Sequence, residues 1–103
     1  MLIVTTEKID GINFKTLGFV SGSTIQVVNM FKDLGSSFKT LVGGELINYN
    51  KMMQEARNIA IERMVTEAKE LGADAIVSVR ISSSSIMQGA AEVVAYGTAV
   101  KFV

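Results

Sequence analysis

The chain has 103 residues, 49% of them hydrophobic, and its ten basic and ten acidic residues give a formal net charge of zero. This length fits one domain (1-103) with a modest core, and the balanced charge disfavours nucleic acid because no long-range field attracts a polyanion. The chain contains neither cysteine nor histidine, which excludes disulfides, thiolate metal sites and the commonest nucleophile and general base.

The amino terminus lacks the basic and apolar regions of a signal peptide, and no apolar run reaches the roughly 20 residues of a membrane span. We therefore expect a cytoplasmic, unprocessed protein with no membrane partner. For its size the chain carries surplus apolar surface, and water disfavours large exposed apolar patches on a small monomer. Composition thus predicts a homo-oligomer.

The first part of the chain is predicted to be a β-hairpin. Leu2 to Ile9 and Ile12 to Val20 are apolar runs on either side of Asp10-Gly11, a pair that favours a tight turn because it tolerates positive φ. Glycines and serines then interrupt the pattern. A further short extended piece is expected at Ile25, Val27 and Val28.

Two helices are predicted next. Residues Met30 to Val42 place four apolar side chains at helical spacing, which is typical of an amphipathic helix. Gly43-Gly44 should break the chain after it. A long helix is then predicted from about Asn48 to Leu71, and Gly72 should end it in the left-handed conformation.

The long helix has an unusually wide apolar surface. Its polar residues recur every three or four positions and so form one side, whereas apolar residues occupy most of the remaining circumference. Such a helix should contact two partners, one of them a neighbouring subunit. The apolar set comprises Met52, Met53, Ala56, Ile59, Ala60, Ile61, Met64, Val65, Ala68 and Leu71.

Two strands are predicted in the last third. Residues 74–81 alternate apolar and polar positions, the signature of a half-buried strand, with Ile76 as the exception. The segment 82–89, rich in serine, is predicted to be a polar loop. Residues 92–103 form a strand with two apolar faces, both of which need cover, and Gly97 should mark a bulge or a close backbone approach.

Several short stretches taken together form a pattern that is unlikely to arise by chance. They are VSG, the VGG between the predicted helices, AKELGADAIV and YGTAV, supported by TTEKIDG and NMFKDLGSSFKTLVGGE. Through them essentially the whole chain resembles the YbjQ-like family of small bacterial proteins, which are labelled heavy-metal-binding domains and are largely uncharacterised. The resemblance implies an α+β subunit like that of dodecin. It would have a small antiparallel sheet, an amino-terminal hairpin, one short and one long helix, and would assemble as a pentameric ring.

The metal label conflicts with the donor set, because soft heavy metals prefer thiolate, thioether or imidazole ligands. Only methionine sulfur and oxygen donors are available, and core packing explains the methionines better. Carboxylates could hold a hard cation if a ring gathered several copies, although solvated surface is their ordinary role. No metal ligand is assigned. The carboxylates considered are Glu7, Asp10, Asp33, Glu45 and Asp74.

Two glycine-containing segments are the candidate ligand-binding residues. Ser21 and Gly22 lie in VSGS, which is not the hydrolase nucleophile elbow and is better explained by formation of a turn. Gly43, Gly44 and Glu45 precede the long helix, whose free amides could hold an anion, but the segment lacks the lysine and spacing of a phosphate loop. A break between the two predicted helices explains this segment better than anion binding does.

Three hypotheses follow. The first is a non-enzymatic cytoplasmic ring that binds a small ligand or metal ion at subunit junctions or along its axis. The second is a structural or protein-interaction ring with no ligand. The third, an enzyme using serine, lysine or carboxylate chemistry, has the least support, and no catalytic residue is assigned. The sequence identifies no cofactor, and the expected partner is the protein itself.

Overall fold

The computed structural model describes residues 1–27 and 44–103 and combines one long helix with a four-stranded sheet in the order β1-β3-β4-β2. β1 runs parallel to β3, and the other neighbouring strands are antiparallel, so the fold is α+β with a mixed sheet. The predicted helix from Met30 to Val42 lies outside the described residues. The elements are β1 (Leu2–Ile3), β2 (Phe14–Val27), α1 (Gly44–Glu70), β3 (Ala75–Met87) and β4 (Ala90–Phe102).

The predicted amino-terminal hairpin is wrong. Asp10-Gly11 does form a turn, with Gly11 at a φ of 72°, but only Ile9 and Ile12 bridge across it. β1 pairs with β3 instead, because Ile3 packs against the main core and its backbone finds a partner there. The polar segment that follows is held to β3 by backbone bonds from the Ser78 and Val79 amides.

β2 is one continuous strand of 14 residues, although the sequence pattern predicted two pieces. The irregularity at Gly18 is a register shift against β4 between Thr16 and Gly18, and the chain continues straight through the serines and glycine beyond. A strand tolerates these residues here because β4 supplies ladder partners on both sides of the shift, for Phe14 to Thr16 and for Gly18 to Val27. Pairing with β4 therefore outweighs the low strand propensity of the glycine and serine residues.

α1 begins at Gly44, four residues before the predicted start, so Gly44 belongs to the helix and does not break it. Its end matches the prediction. Gly72 has a φ of 78°, its amide donates to the Lys69 carbonyl at 2.9 Å, and the Ala73 amide donates to the Ala68 carbonyl at 3.0 Å. This pair of bonds is a Schellman motif, which satisfies the last carbonyls of the helix.

α1 packs mainly over β2 and β4 through a line of residues four positions apart. Ala56, Ala60, Met64 and Ala68 are fully buried, and three of the four are alanines, so the helix backbone can lie close to the sheet. Other apolar positions on the helix are only partly covered. Met52, Met53, Ile59, Ile61 and Val65 are half-buried and Leu71 is exposed, as expected for a helix with more apolar surface than one sheet covers.

β3 contains a bulge that reverses which residues face α1. Ser78 and Val79 both lie opposite Gly97 of β4, and Ser78 has a φ of 55°, a left-handed conformation unusual for a residue with a side chain. Because of the extra residue, Ile76 and Val79 both join the core beneath α1. Strict alternation predicted that Val79 would share a face with Val77, and the bulge explains why it does not.

The predicted polar loop at 82–89 is wrong. β3 continues through the four serines to Met87, and a two-residue turn at Gln88-Gly89 returns the chain into β4 at Ala90. Serine has low strand propensity, but ladder pairing with β4 supplies the backbone bonds and exposed serine side chains carry no burial cost. All residues of β3 from Ser82 to Met87, which we call the hairpin arm, are exposed, whereas Ala90 and Ala91 at the start of β4 are buried.

β4 is the central strand and contributes to two separate cores. Val93, Ala95 and Ala99 are buried beneath α1, whereas Val100 belongs to a smaller cluster on the opposite face. A side chain at Gly97 would meet Ile76 and Val79 at 2.8–3.1 Å, which confirms the predicted close approach. The two apolar faces expected for this strand are both present, but the second is covered only in part.

Candidate functional site

The structure separates the two residues of the predicted VSGS site. Ser21 is half-buried on the sheet face that points away from α1, whereas Gly22 is buried on the face beneath it. A Cβ at Gly22 would collide with backbone atoms of Ala60, Arg63 and Met64. Gly22 therefore serves helix packing and is closed to a ligand within this chain.

The second predicted segment lies far from the first. Gly44 and Glu45 form the first turn of α1, and Gly43 lies outside the described residues. Gly22 contacts α1 near Ala60, which is about 24 Å along the helix axis from Gly44 at 1.5 Å per residue. The two segments do not form one site within a single chain.

A further apolar surface lies on the sheet face that points away from α1, and we call the uncovered half of that face the open face. Phe19 and Val27 are each 67% exposed, Ile25 is 57% exposed and Tyr96 is 38% exposed. The rings of Phe19 and Tyr96 lie 6.4 Å apart at a tilt of 33°, within the range of favourable aromatic contacts. Val94, half-buried, completes the open face.

The other half of the same sheet face is covered by the amino-terminal segment. Val4, Ile9 and Phe14 pack against the buried side chains of Ala75, Val77 and Val100. The segment is held in place because the Val4 amide donates to the Ile76 carbonyl at 2.9 Å and the Ser78 amide donates to the Thr6 carbonyl at 2.9 Å. The amino-terminal segment covers only this half of the sheet face, and the other half is the open face.

A groove of about 680 Å³ lies between the amino-terminal segment and β3. The Arg80 guanidinium projects toward it and donates from Nη1 to the carbonyls of Thr5, at 2.9 Å, and Val79, at 2.8 Å. The β3 bulge brings Arg80 to this side of the sheet. Glu7, Lys8 and Asp10 are exposed around the groove, so its charges balance and it has no strong preference for an anion.

The described residues do not fit a soft heavy-metal ion. No group of three or more His, Cys, Asp or Glu side chains is close enough to hold a metal in residues 1–27 and 44–103. Met64 is fully buried in the apolar core, and Met87 lies 64% exposed at the tip of the hairpin arm. Of the carboxylates considered, Asp74 is already engaged, because Oδ2 accepts a bond from the Phe102 amide at 2.8 Å and lies 3.7 Å from Lys101 Nζ.

Sequence reasoning missed the open face and the groove. The signal for the open face was present, since Phe19, Ile25 and Val27 alternate with buried positions of β2, but the predicted break at the serines concealed it. Arg80 could not have been found, because only the bulge at Ser78 determines which side of the sheet it occupies.

One long helix packed on a four-stranded mixed sheet defines a small α+β domain. The chain belongs to the YbjQ_1 family, described as "Putative heavy-metal-binding", whose family model matches residues 1–103. The resemblance found in the sequence is thereby confirmed.

Curated relatives carry the family name UPF0145, which specifies no activity. A UPF0145 protein of Clostridioides difficile is 60% identical over 101 residues, covering 97% of this chain and 90% of its own length. One from Clostridium novyi is 58% identical and covers 98% of each chain. One from Thermotoga maritima is 54% identical, covering 98% of this chain and 96% of its own.

A solved structure supports the fold. A Pediococcus pentosaceus protein of unknown function, assigned to the DUF74 family, superposes with a TM-score of 0.67 over 100% of this chain and 98% of that one, at 15% sequence identity. Separately, none of the helices in the described part of this chain has both the length and the apolar content needed to cross a bilayer.

Proposed function

We propose that this chain is a non-enzymatic, cytoplasmic protein that assembles with copies of itself into a pentameric ring and that the ring binds a small ligand or metal ion. The observation that carries the proposal is the open face. Phe19, Ile25 and Val27 are more than half exposed on a regular, well-paired strand, so flexibility does not explain their exposure. A contiguous apolar patch on a small domain marks an interaction surface.

The elongated shape supports self-assembly. The Cα radius of gyration is 17.4 Å and the principal extents are 58 × 23 × 17 Å. A compact domain of this length has a radius of gyration of about 13 Å. The hairpin arm contributes to the elongation, and its exposed residues include Ile86 and Met87. Such an arm gains burial only when a partner covers it.

A ring also accounts for where a ligand would bind. Copies of the aromatic pair Phe19 and Tyr96 would repeat around one axis and offer apolar contacts to a small molecule. An ion would need donors from more than one subunit, because the described residues of one chain contain no cluster of three candidate ligands. Glu92, half-buried on the open face opposite Ile25, would be one such donor.

A ring with no ligand is the second candidate. It is favoured by the groove beside Arg80, whose charges balance and whose guanidinium already bonds two backbone carbonyls. In that case the open face is a protein contact only. An enzyme remains the least supported alternative, because the chain has neither histidine nor cysteine to act as base or nucleophile.

Native mass spectrometry of protein isolated from its own host, combined with elemental analysis, tests the proposal. The expected result is a mass near five times 11.1 kDa plus a retained small molecule or stoichiometric metal. The same pentamer with no added mass in repeated preparations would favour the ring without a ligand. A monomer would contradict both forms of the proposal.

A further inference from the structure

The sheet has two unpaired strand edges within the described residues. β1 pairs only with the start of β3, and the last backbone bonds from the amino-terminal segment reach Ser78 and Val79. From Arg80 to Met87, β3 is therefore bonded to β4 on one side alone. β2 lies at the opposite end of the strand order, and no described strand pairs with its outer edge.

Both edges lack the features that usually prevent pairing between proteins. Natural sheets protect exposed edges with lysine, proline or other charges. The β3 edge contains the four serines 82–85 between Ile81 and Ile86, with no charged residue or proline. The β2 segment from Val20 to Val27 is equally free of both. The β3 edge is open to another strand, and on the β2 edge the Arg63 guanidinium of α1 occupies one carbonyl, that of Ser23.

The two edges lie at the same level of the sheet. Arg80 pairs with Tyr96, which pairs with Ser21 on the far side, and Met87 connects in the same way through Ala90 to Val27. A copy rotated about an axis parallel to the strands would place its β3 edge beside this β2 edge without sliding along it. Such a contact is heterologous, and repeating it by rotation closes a ring.

We propose that residues Ser82–Met87 of β3 pair as a parallel strand with the outer edge of β2 in a second copy of this chain. The inference rests on the proposed function, because it describes the junction of that ring. The pairing is parallel because β2 and β3 both run antiparallel to β4, and rotation about the strand direction preserves their sense.

A side-chain contact shows that at least one β2 carbonyl accepts a donor from outside β4. Arg63 Nη1 of α1 donates to the Ser23 carbonyl at 2.7 Å. In the ring, a backbone amide of the neighbouring β3 would compete for or share such carbonyls. Pairing through the backbone needs no particular side chain, which fits a run of four small, uncharged serines.

Two adjacent proline substitutions test the backbone pairing. Successive amides in a strand point to opposite sides, so Ser83→Pro and Ser84→Pro each remove an amide on a different edge. One variant should damage the β3–β4 hairpin and lower thermal stability. The other should keep the fold but dissociate the ring at micromolar concentration by light scattering. Ser83→Ala and Ser84→Ala are the matched controls and should keep the wild-type mass.

Hydrogen exchange on the wild-type protein provides the second measurement. Slow exchange is expected at every backbone amide from Ser82 to Ser85, because both sides of β3 are paired there in the ring. Fast exchange at alternate amides in an intact oligomer would overturn the edge pairing. Wild-type mass in both proline variants would overturn it as well, and in both cases the proposed ring would still hold. A wild-type monomer would overturn the edge pairing and the proposed function together.

Discussion

The two faces of the same sheet differ in how completely they are covered. Beneath α1, a buried Gly22 lies against the helix backbone near Ala60, so helix and sheet approach closely, and a buried Gly97 lies against Ile76 and Val79 of the neighbouring strand β3. On the opposite face the amino-terminal segment covers Ala75, Val77 and Val100, and Phe19 and Tyr96 remain open. The first face is covered by α1, whereas the second carries exposed apolar side chains that the amino-terminal segment does not cover.

The largest effect is expected at the contact between helix and sheet. Gly22→Val should prevent folding or destabilise the domain by more than about 3 kcal/mol, because the new side chain would collide with the backbone of α1, which cannot move aside locally. Ser21→Val, one residue away on the opposite face, is the matched control. Thermal unfolding followed by circular dichroism measures both, and similar melting of the two variants would contradict this account of Gly22.

A smaller loss is expected from a cavity in the same core. Met64→Ala should lower the free energy of unfolding by about 2–4 kcal/mol, because Met64 is fully buried and its neighbours cannot close the space. Met87→Ala, at an exposed position, should cost less than about 0.5 kcal/mol in a dissociated subunit. Denaturant titration compares them; equal losses would mean that Met64 does not occupy the core as described.

Substitutions on the open face should weaken association between subunits without changing the stability of the folded subunit. Phe19→Ser should leave the subunit folded but weaken association about 30-fold, the equivalent of about 2 kcal/mol, because buried aromatic side chains dominate interface energies. Lys15→Ser, an exposed position on the same strand, is the control. Analytical ultracentrifugation over a dilution series gives both dissociation constants. Unchanged association of Phe19→Ser would remove the open face from the interface.

The smallest effect concerns the β3 bulge, where two serines should respond with opposite sign. Ser78→Gly should raise the free energy of unfolding by up to about 1 kcal/mol, because glycine removes the cost of the left-handed conformation at a φ of 55°. Ser84→Gly, in regular strand, should lower it by about 0.5–1 kcal/mol. Chemical denaturation of both variants checks the sign of each change in the free energy of unfolding. Destabilisation by Ser78→Gly would show that the contacts of the Ser78 side chain contribute more stability than the left-handed conformation costs.

The sequence predicted what depends on local signals. The end of α1 at Gly72 and the close approach at Gly97 were both recognised, since a left-handed helix stop and a crowded strand position each require glycine. Pairing partners were not predictable in this way. Asp10-Gly11 does make a turn, yet β1 pairs with β3, more than 70 residues along the chain.

The candidate site was harder to predict because it depends on register. Ser21 and Gly22 are neighbours in sequence but occupy opposite faces of β2, and only the structure shows which one meets α1. The composition of the serine run, residues 82–85, predicts a loop, although pairing with β4 makes it a strand. A single bulged residue, Ser78, then decides that Val79 is in the core and Arg80 is outside it.

Self-assembly is the central claim, and light scattering after gel filtration at micromolar concentration tests it most directly. The account predicts a single species with a mass near five times 11.1 kDa that dissociates when Phe19 is replaced by serine. A monomer of 11.1 kDa with an intact fold would contradict it.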